Sequence, residues 1–390
     1  MSEVVRWSSG GTPKTTTKEF YENGTIPWLV IGDLNDGVVT GSAAKITPLG
    51  LQNSSAKMIP PGTLLIAMYG SIGKLGITGM DCCTNQAIAY AKELHGVTAK
   101  YMYYYLLMLR SELIRMGKGG TQKNISQTIL NSIEILVPPL PEQERITARL
   151  EEQFAQLAPI ASRLNTAKGK LKTYRQAVFA SVIGAHPDAE APLSAVAELI
   201  DGDRGKNYPK WKDFSSSGDC LFLNAQNVRP YGWSFASNCF ISRERDQLLR
   251  SGKLRKNDVV ITTRGTVGNV AVYDDAVPYE HVRINSCMLI LRPDLKAISP
   301  YYLAAYLMSP MFQTQIKGLT SGTAQPQLPA SILKKAVLSV PPLAVQREIL
   351  RALEDQLSVC DSIEQTIQTA LQRVDALRQS ILKQAFEGKY

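Results

Sequence analysis

The chain repeats itself, and that repetition limits what it can fold into. Val137-Pro138-Pro139-Leu140-Pro141-Glu142-Gln143 returns as Val340-Pro341-Pro342-Leu343-Ala344-Val345-Gln346. The same displacement carries Ile146 onto Ile349, Leu150 onto Leu353, and Arg175-Gln176 onto Arg378-Gln379. Upstream, Gly119-Gly120-Thr121-Gln122 falls opposite Gly322-Thr323-Ala324-Gln325. Gly70-Ser71-Ile72-Gly73 matches Gly265-Thr266-Val267-Gly268 at a slightly smaller displacement. A duplication of this size means two copies of one domain and two copies of one connector. Between the matching motifs the copies have diverged, so one scaffold carries two different surfaces.

The connectors read as helices. In the first, Leu150, Leu157, Leu164, Leu171 and Val178 stand seven residues apart, with Ile146, Ile160, Ala167 and Tyr174 between them. In the second, Leu353, Cys360, Ile367, Val374 and Ile381 repeat the spacing, joined by Ile349, Ile363, Ala370 and Leu377. An apolar period of 3.5 residues predicts an a/d seam through which the two helices pack on each other. At 1.5 Å per residue, ~40 residues make a rod of roughly 60 Å. The prolines before each seam end a strand and launch the helix. Pro159 lies inside the first seam, with Gly169 beyond it, and predicts a kink or break near 159.

The rest is two globular blocks. Thr63–Met68 and Ala87–Tyr90 in the first, and Asp258–Ile261 and Met288–Leu291 in the second, read as strands between Gly, Pro, Asn and Asp turns. A helix follows in each copy, over 99–116 and 300–312. Tyr103-Tyr104-Tyr105 could stack on bases, but the helical spacing of Tyr101, Tyr105, Leu106, Leu109 and Leu113 favours a core-facing stripe. The boundaries fall at 1–140, 141–184, 185–341 and 342–390, with 184–192 as linker. The expected fold is α+β, with two similar domains at opposite ends of an antiparallel two-helix coiled coil. A parallel pairing would need a much longer return.

With 390 residues the chain is long enough for two domains, and its net charge of +9 favours an anionic partner such as nucleic acid. The six cysteines form no C-x-x-C pair and there are only three histidines, so no metal site is expected. Adjacent Cys82-Cys83 reads as part of a buried strand. No signal-peptide layout and no stretch of ~20 apolar residues is present, which predicts a soluble cytoplasmic protein with no membrane role. Catalytic signatures fail in turn. Gly70-Ser71-Ile72-Gly73-Lys74 hints at a phosphate loop, but Met68 and Leu75 occupy its leading-glycine and Ser/Thr positions. No G-x-G-x-x-G follows a strand, no Asn/Asp-Pro-Pro-aromatic motif occurs, and His95, His186 and His281 stand apart from any nucleophile motif. The chain reads as no enzyme by itself.

What remains is recognition. Gly70, Ser71, Gly73 and Lys74, and Arg264, Gly265, Thr266, Gly268 and Asn269, follow predicted strands and offer backbone N–H groups beside basic or polar side chains. Glycine lets such loops approach a phosphate closely. Gly120, Thr121, Gln122, Lys123 and Asn124, with Thr323 and Gln325, form polar segments whose amides suit adenine in a major groove. Lys14, Arg204 and Lys206 are further basic candidates. The same glycines also fit plain turns that both copies share.

These residues resemble the specificity subunit of type I restriction–modification systems. The opening Gly10-Gly11-Thr12-Pro13-Lys14-Thr15, then Ile26-Pro27-Trp28-Leu29 and Gly32-Asp33-Leu34, are similar to the start of that family's target-recognition domain. So are the glycine loops, the Gly-Thr-x-Gln element, the Pro-Pro-Leu-x-x-Gln helix start and the Arg-Gln near each helix end. Ala324 and Pro326 in the second Gly-Thr-x-Gln loop, and Pro159, depart from the pattern. The resemblance implies that each domain reads one half of a bipartite, asymmetric DNA target. It implies that Ile146, Leu150, Leu157, Leu164, Leu171 and Val178 pair with Ile349, Leu353, Ile367, Val374 and Ile381 as spacer and docking surface for two methyltransferase subunits. Those partners would hold S-adenosylmethionine and methylate adenine N6, and motor–nuclease subunits would join for cleavage. Two other readings stay open: a coiled-coil scaffold without DNA affinity, and an orphan DNA-binding regulator. Deleting one heptad from each helix is expected to change the spacer of the methylated motif and leave both half-sites intact. Modified-base sequencing checks it, and an unchanged spacer excludes the helices as ruler.

Overall fold

A computed structural model describes residues 1–117, 124–185, 190–230, 232–318 and 327–388. It divides into two compact units, Met1–Leu164 with Thr369–Tyr390, and Asn165–Gln368. Each unit therefore combines one globular block with a part of both long helices.

In the first unit five strands, β1 (Val5–Ser9), β2 (Gly37–Val39), β3 (Leu64–Ala67), β4 (Leu75–Thr78) and β5 (Ile88–Leu94), form a sheet of order β1-β5-β3-β4-β2. In the second, β6 (Ala197–Asp201), β7 (Val259–Thr262), β8 (Val270–Val272) and β9 (Met288–Pro293) give β6-β9-β7-β8, the same topology without the last strand. The registers also correspond, with Leu65 opposite Tyr90 and Val260 opposite Ile290. The central strands are buried along their whole length because both sheet faces are covered. Side chains alternate between faces. Leu64 and Ile66 join the helical core around Tyr101 and Leu106, while Leu65 and Ala67 join Leu29, Leu34 and Cys82 on the other side. Val259 and Ile261 likewise meet Tyr302 and Leu307, and Val260 meets Tyr273 and Val282.

The helix after each sheet is α1 (Ala99–Met108) or α2 (Pro300–Met308), and each ends before a second short helix, Arg110–Met116 or Pro310–Lys317. Tyr101, Tyr103 and Tyr104 are buried, as the core-facing reading expects. Tyr101 donates its hydroxyl to the Leu136 carbonyl at 2.8 Å, and Tyr302 repeats this at Ser339, 3.0 Å. Cys82 and Cys83 are buried too.

The long helices run over Leu140–Gly184 and Leu343–Phe386. Within each unit they are antiparallel. In the second, Arg175 reaches Asp361 at 2.5 Å and Glu364 at 3.0 Å, while Val178 and Ile183 share a core with Ile349 and Leu353. In the first, Ile146 and Leu150 share a core with Leu382 and Ala385.

Three expectations need correction. Of the kink or break expected near Pro159, the break is excluded, because Leu140–Gly184 is one continuous helix. Pro159 and Ala155 lie on the exposed side, where the carbonyl that loses its N–H partner faces water. The seam is also only half buried. Leu150, Leu157, Leu171, Val178, Ile349, Leu353, Cys360, Ile367 and Val374 are inside, with Leu164 and Ile381 partly so. Of the intervening row, Ile146 and Ile349 at the helix starts are buried, whereas Ile160 at 47%, Tyr174 at 54%, Ile363 at 44% and Leu377 at 48% exposure face out. Finally, the first proline run ends no strand. Val337–Ser339 pairs with Glu190–Pro192, but among the described residues the matching segment 134–136 has no strand partner, and Leu136 is exposed.

The repeated Pro-Pro-Leu-x-x-Gln owes its last residue to a joint. Gln143 is fully buried; its Nε2 donates to the carbonyls of Gly96 (2.7 Å) and Pro138 (2.8 Å), and its Oε1 accepts from Thr98 N (2.9 Å). Gln346 does the same with Ala297, Pro341 and Ser299 at 3.0, 2.7 and 2.8 Å. Truncating either glutamine leaves buried backbone groups unsatisfied, each worth about 1–3 kcal/mol. Gln346→Ala should destabilise the protein by on the order of 3 kcal/mol in a denaturant titration, whereas Gln372→Ala on the exposed helix surface should change it by under about 0.5 kcal/mol.

Candidate nucleic-acid interface

Each unit builds one face from the same loops. The β3–β4 hairpin carries Gly70 and Gly73 at φ +64° and +76°, and the β7–β8 hairpin carries Gly265 and Gly268 at +74° and +91°. Backbone in this left-handed region favours glycine. The glycines of each pair then differ. A Cβ on Gly70 or Gly265 would meet nothing, so the hairpin tips are open. A Cβ on Gly268 would lie 2.7 Å from Gln313, and one on Gly73 3.3 Å from Arg110. Arg110 Nε and Gln313 Nε2 donate to the carbonyls of Gly73 and Gly268, at 2.8 and 2.9 Å. Thus the short helix that follows α1 or α2 clamps the base of the hairpin and leaves the tip free. In the first unit Arg110 is itself held by Asp36, at 2.9 and 2.5 Å.

The loop leaving β1 or β6 passes close beside this hairpin's neighbours. A Cβ on Gly10 would collide with Thr84 and Asn85, and one on Gly202 with Asn285. Asn85 Oδ1 accepts from Ala87 N (3.1 Å) and Asn285 Oδ1 from Cys287 N (2.9 Å), which turns both loops alike. In the second unit Asp203 fastens the 201–206 loop, its buried carboxylate accepting from Gly205 N (2.6 Å) and Arg250 N (2.7 Å). The Arg250 and Gly205 N–H groups hold its pKa below the ordinary 3.8. A last strand-like contact closes each face, Tyr69 with Asn124 and Arg264 with Gln327.

One family model, described as type I restriction modification DNA specificity domain, matches residues 1–167 and again 193–373. The chain belongs to this family. It is similar to the type I restriction enzyme EcoBI specificity subunit of Escherichia coli, 26% identical over 84% of this chain and 74% of that protein. It is also similar to the MjaVIII specificity subunit of Methanocaldococcus jannaschii, 23% identical over 100% of this chain and 91% of that one. A solved chain from work on complex assembly and conformational transition of the type I R-M system shares the fold, with TM-score 0.62 and 17% identity over 98% of this chain and 97% of that one.

The residues singled out in the specificity-family motifs separate by role. Lys14, Lys206, Gly70, Ser71, Gly265 and Thr266 are exposed on the faces just described, with Arg204 beside them and Arg264 partly buried. Gly73 and Gly268 are turned inward. Lys74 Nζ donates to the Ile31 carbonyl at 3.4 Å, and Asn269 Nδ2 to that of Val228 at 3.0 Å, so both side chains hold the scaffold. Asn124 is partly buried, and its Oδ1 has no hydrogen-bond donor among the described residues. Gly120, Thr121, Gln122, Lys123, Thr323 and Gln325 lie outside the described residues. Sequence reasoning missed Asn85, Gln86, Asn285, Ser286, Asp201, Asp203 and Gln327. The recurrence of asparagine before the strand in both copies was the available signal for the turn.

Because Asp203 has a depressed pKa, its contribution is present above the ordinary carboxylate value and lost as pH falls through the lowered one. Asp203→Asn should cost about 1–3 kcal/mol near pH 7. In thermal unfolding the gap to the parent should narrow as the pH falls below 3.8.

Proposed function

We propose that this chain is the DNA-reading, non-catalytic subunit of a type I restriction–modification complex. Each unit would read one half of a bipartite, asymmetric target. Partner methyltransferase subunits would hold S-adenosylmethionine and modify adenine N6, and motor–nuclease subunits would join them for cleavage. The observation that carries this reading is the pair of faces with one scaffold and different side chains. Tyr69 stands where the other copy has Arg264, and Thr12 where it has Arg204. Two copies of one DNA-reading plan with unlike tips fit two unlike half-sites.

The net charge of +9 and the exposed Lys14 and Lys206 supply phosphate attraction. Docking of partner subunits draws support from the apolar row left outside on the long helices, Ile160, Tyr174, Ile363 and Leu377, to which Val359 adds 58% exposure. An apolar row of this kind on helices that already have a buried row is a protein-binding feature. Adenine inside a duplex is out of reach of a methyl donor unless it is flipped, so positioning the DNA for the partner is the task left to this chain.

Modified-base sequencing of host DNA, with the methyltransferase partner present in both strains, is the first check. A split motif carrying N6-methyladenine should disappear when this gene is removed; unchanged methylation would leave only a scaffold. Affinity of the assembled complex for target DNA should fall steeply with salt, log K against log salt having a slope of about −5 or steeper if six or more phosphates are neutralised. A flat dependence argues against DNA contact.

A further inference from the structure

We infer that the second unit reads a guanine through Arg264, and that the first unit has no equivalent reader because Tyr69 holds that position. This rests on the DNA-reading role proposed above and specifies the base class at one of its two faces.

Position comes first. Arg264 sits at the root of the open hairpin tip, next to Gly265, and its backbone is paired with Gln327. It lines a cavity of about 180 Å³ together with Asp201, Arg204, Thr263, Gln327 and Leu328. Among the described residues the Arg264 guanidinium has no hydrogen-bond acceptor. The neighbouring Arg204 does: its Nη2 lies 3.1 Å from Asp201 and donates to the Ser286 carbonyl at 3.3 Å. So one arginine is tied down at the edge of the cavity and the other is left with its planar fork available.

Chemistry comes second. A free guanidinium on a DNA-facing loop has two candidate ligands, a phosphate or the O6/N7 edge of guanine. The other lining groups decide between them. A phosphate would engage only the arginine fork and leave the remaining acceptors of Asp201 and Gln327 in the same cavity without a donor, whereas a G·C pair presents O6 and N7 to the fork and the cytosine N4 amino group to an acceptor. Arg264 with acceptors beside it is complementary to a G·C pair, and the Arg204–Asp201 ion pair leaves Arg264 as the cation not already spent.

The first unit supplies the contrast. Ser9 replaces Asp201 at the end of the first strand, Thr12 replaces Arg204, Tyr69 replaces Arg264 and Asn124 replaces Gln327. Thr12 bonds to Gln86, and Gln127 Nε2 donates to Ser9 at 2.7 Å. This face is made of hydroxyls and amides, with neither the fork nor the carboxylate that a G·C pair would meet.

The test uses the full chain with its methyltransferase partner in cells, read by modified-base sequencing. If the parent directs no split motif, the DNA-reading role itself fails before any variant is considered. If it does, Arg264→Gln is expected to relax one guanine position, in one half-site only, by about tenfold to a hundredfold in relative methylation. The other half-site should be unchanged. Uniformly weaker methylation with the same motif would identify a phosphate contact and overturn the inference; so would relaxation at a base other than guanine, or no change. Arg264→Lys keeps the charge and guards against a folding defect in the first variant. It should retain guanine with reduced stringency at that position, and undiminished stringency would equally overturn the inference.

Discussion

The buried amide of Gln143, and of Gln346 in the second copy, is the contact on which each unit depends. A helix start leaves backbone N–H groups unpaired, and a loop arriving beside it brings unpaired carbonyls. One glutamine satisfies both kinds of group at once, fixing the long helix to the loop that precedes α1 or α2. No apolar residue can substitute, and a shorter amide could not span the same partners. Preserved identically across two diverged copies, this joint makes each globular block and its helix a single mechanical piece.

On that rigid base the hairpins divide their labour within a few residues. Their second glycine is pressed against the following helix, and its carbonyl is held by Arg110 or Gln313. The first glycine is open and needs only its positive φ. Clamping at the base with freedom at the tip is what a reading loop requires, since the scaffold fixes where a side chain stands while its identity can change. The clamp residues differ between copies yet donate to the same carbonyl. The tip residues differ without any such equivalence, and there the two faces part company.

The helices show a similar asymmetry. Arg175 is enclosed and paired with Asp361 and Glu364. Its repeat counterpart Arg378 is more exposed and lies 4.0 Å from Asp375; the positions matching the two acids are Ala158 and Ala161. Duplicated helices thus present unlike charge patterns on equivalent surfaces, as the globular blocks do.

Much of this was legible in the chain itself. The duplication, the strands around Leu64 and Val259, the buried tyrosines and the two long helices follow from periodicity and repeated spacing, because side-chain alternation and heptads are local geometric facts. Heptad spacing alone could not tell which of its two apolar rows would be buried; Ile160, Tyr174, Ile363 and Leu377 were left outside by the packing of the helices. Nor could it show that Pro159 lies where water can reach the freed carbonyl. The candidate DNA face was half visible. The glycine loops announced themselves, whereas Asp201 and Gln327 come from a separate strand and loop, and only the sheet register brings them beside Arg264. Sequence by itself determined that one scaffold was made twice, since repeats and periods are written in order along the chain. Tertiary structure decided which side chains face one another across each site, because those neighbours are distant in sequence and meet only when the strands pair.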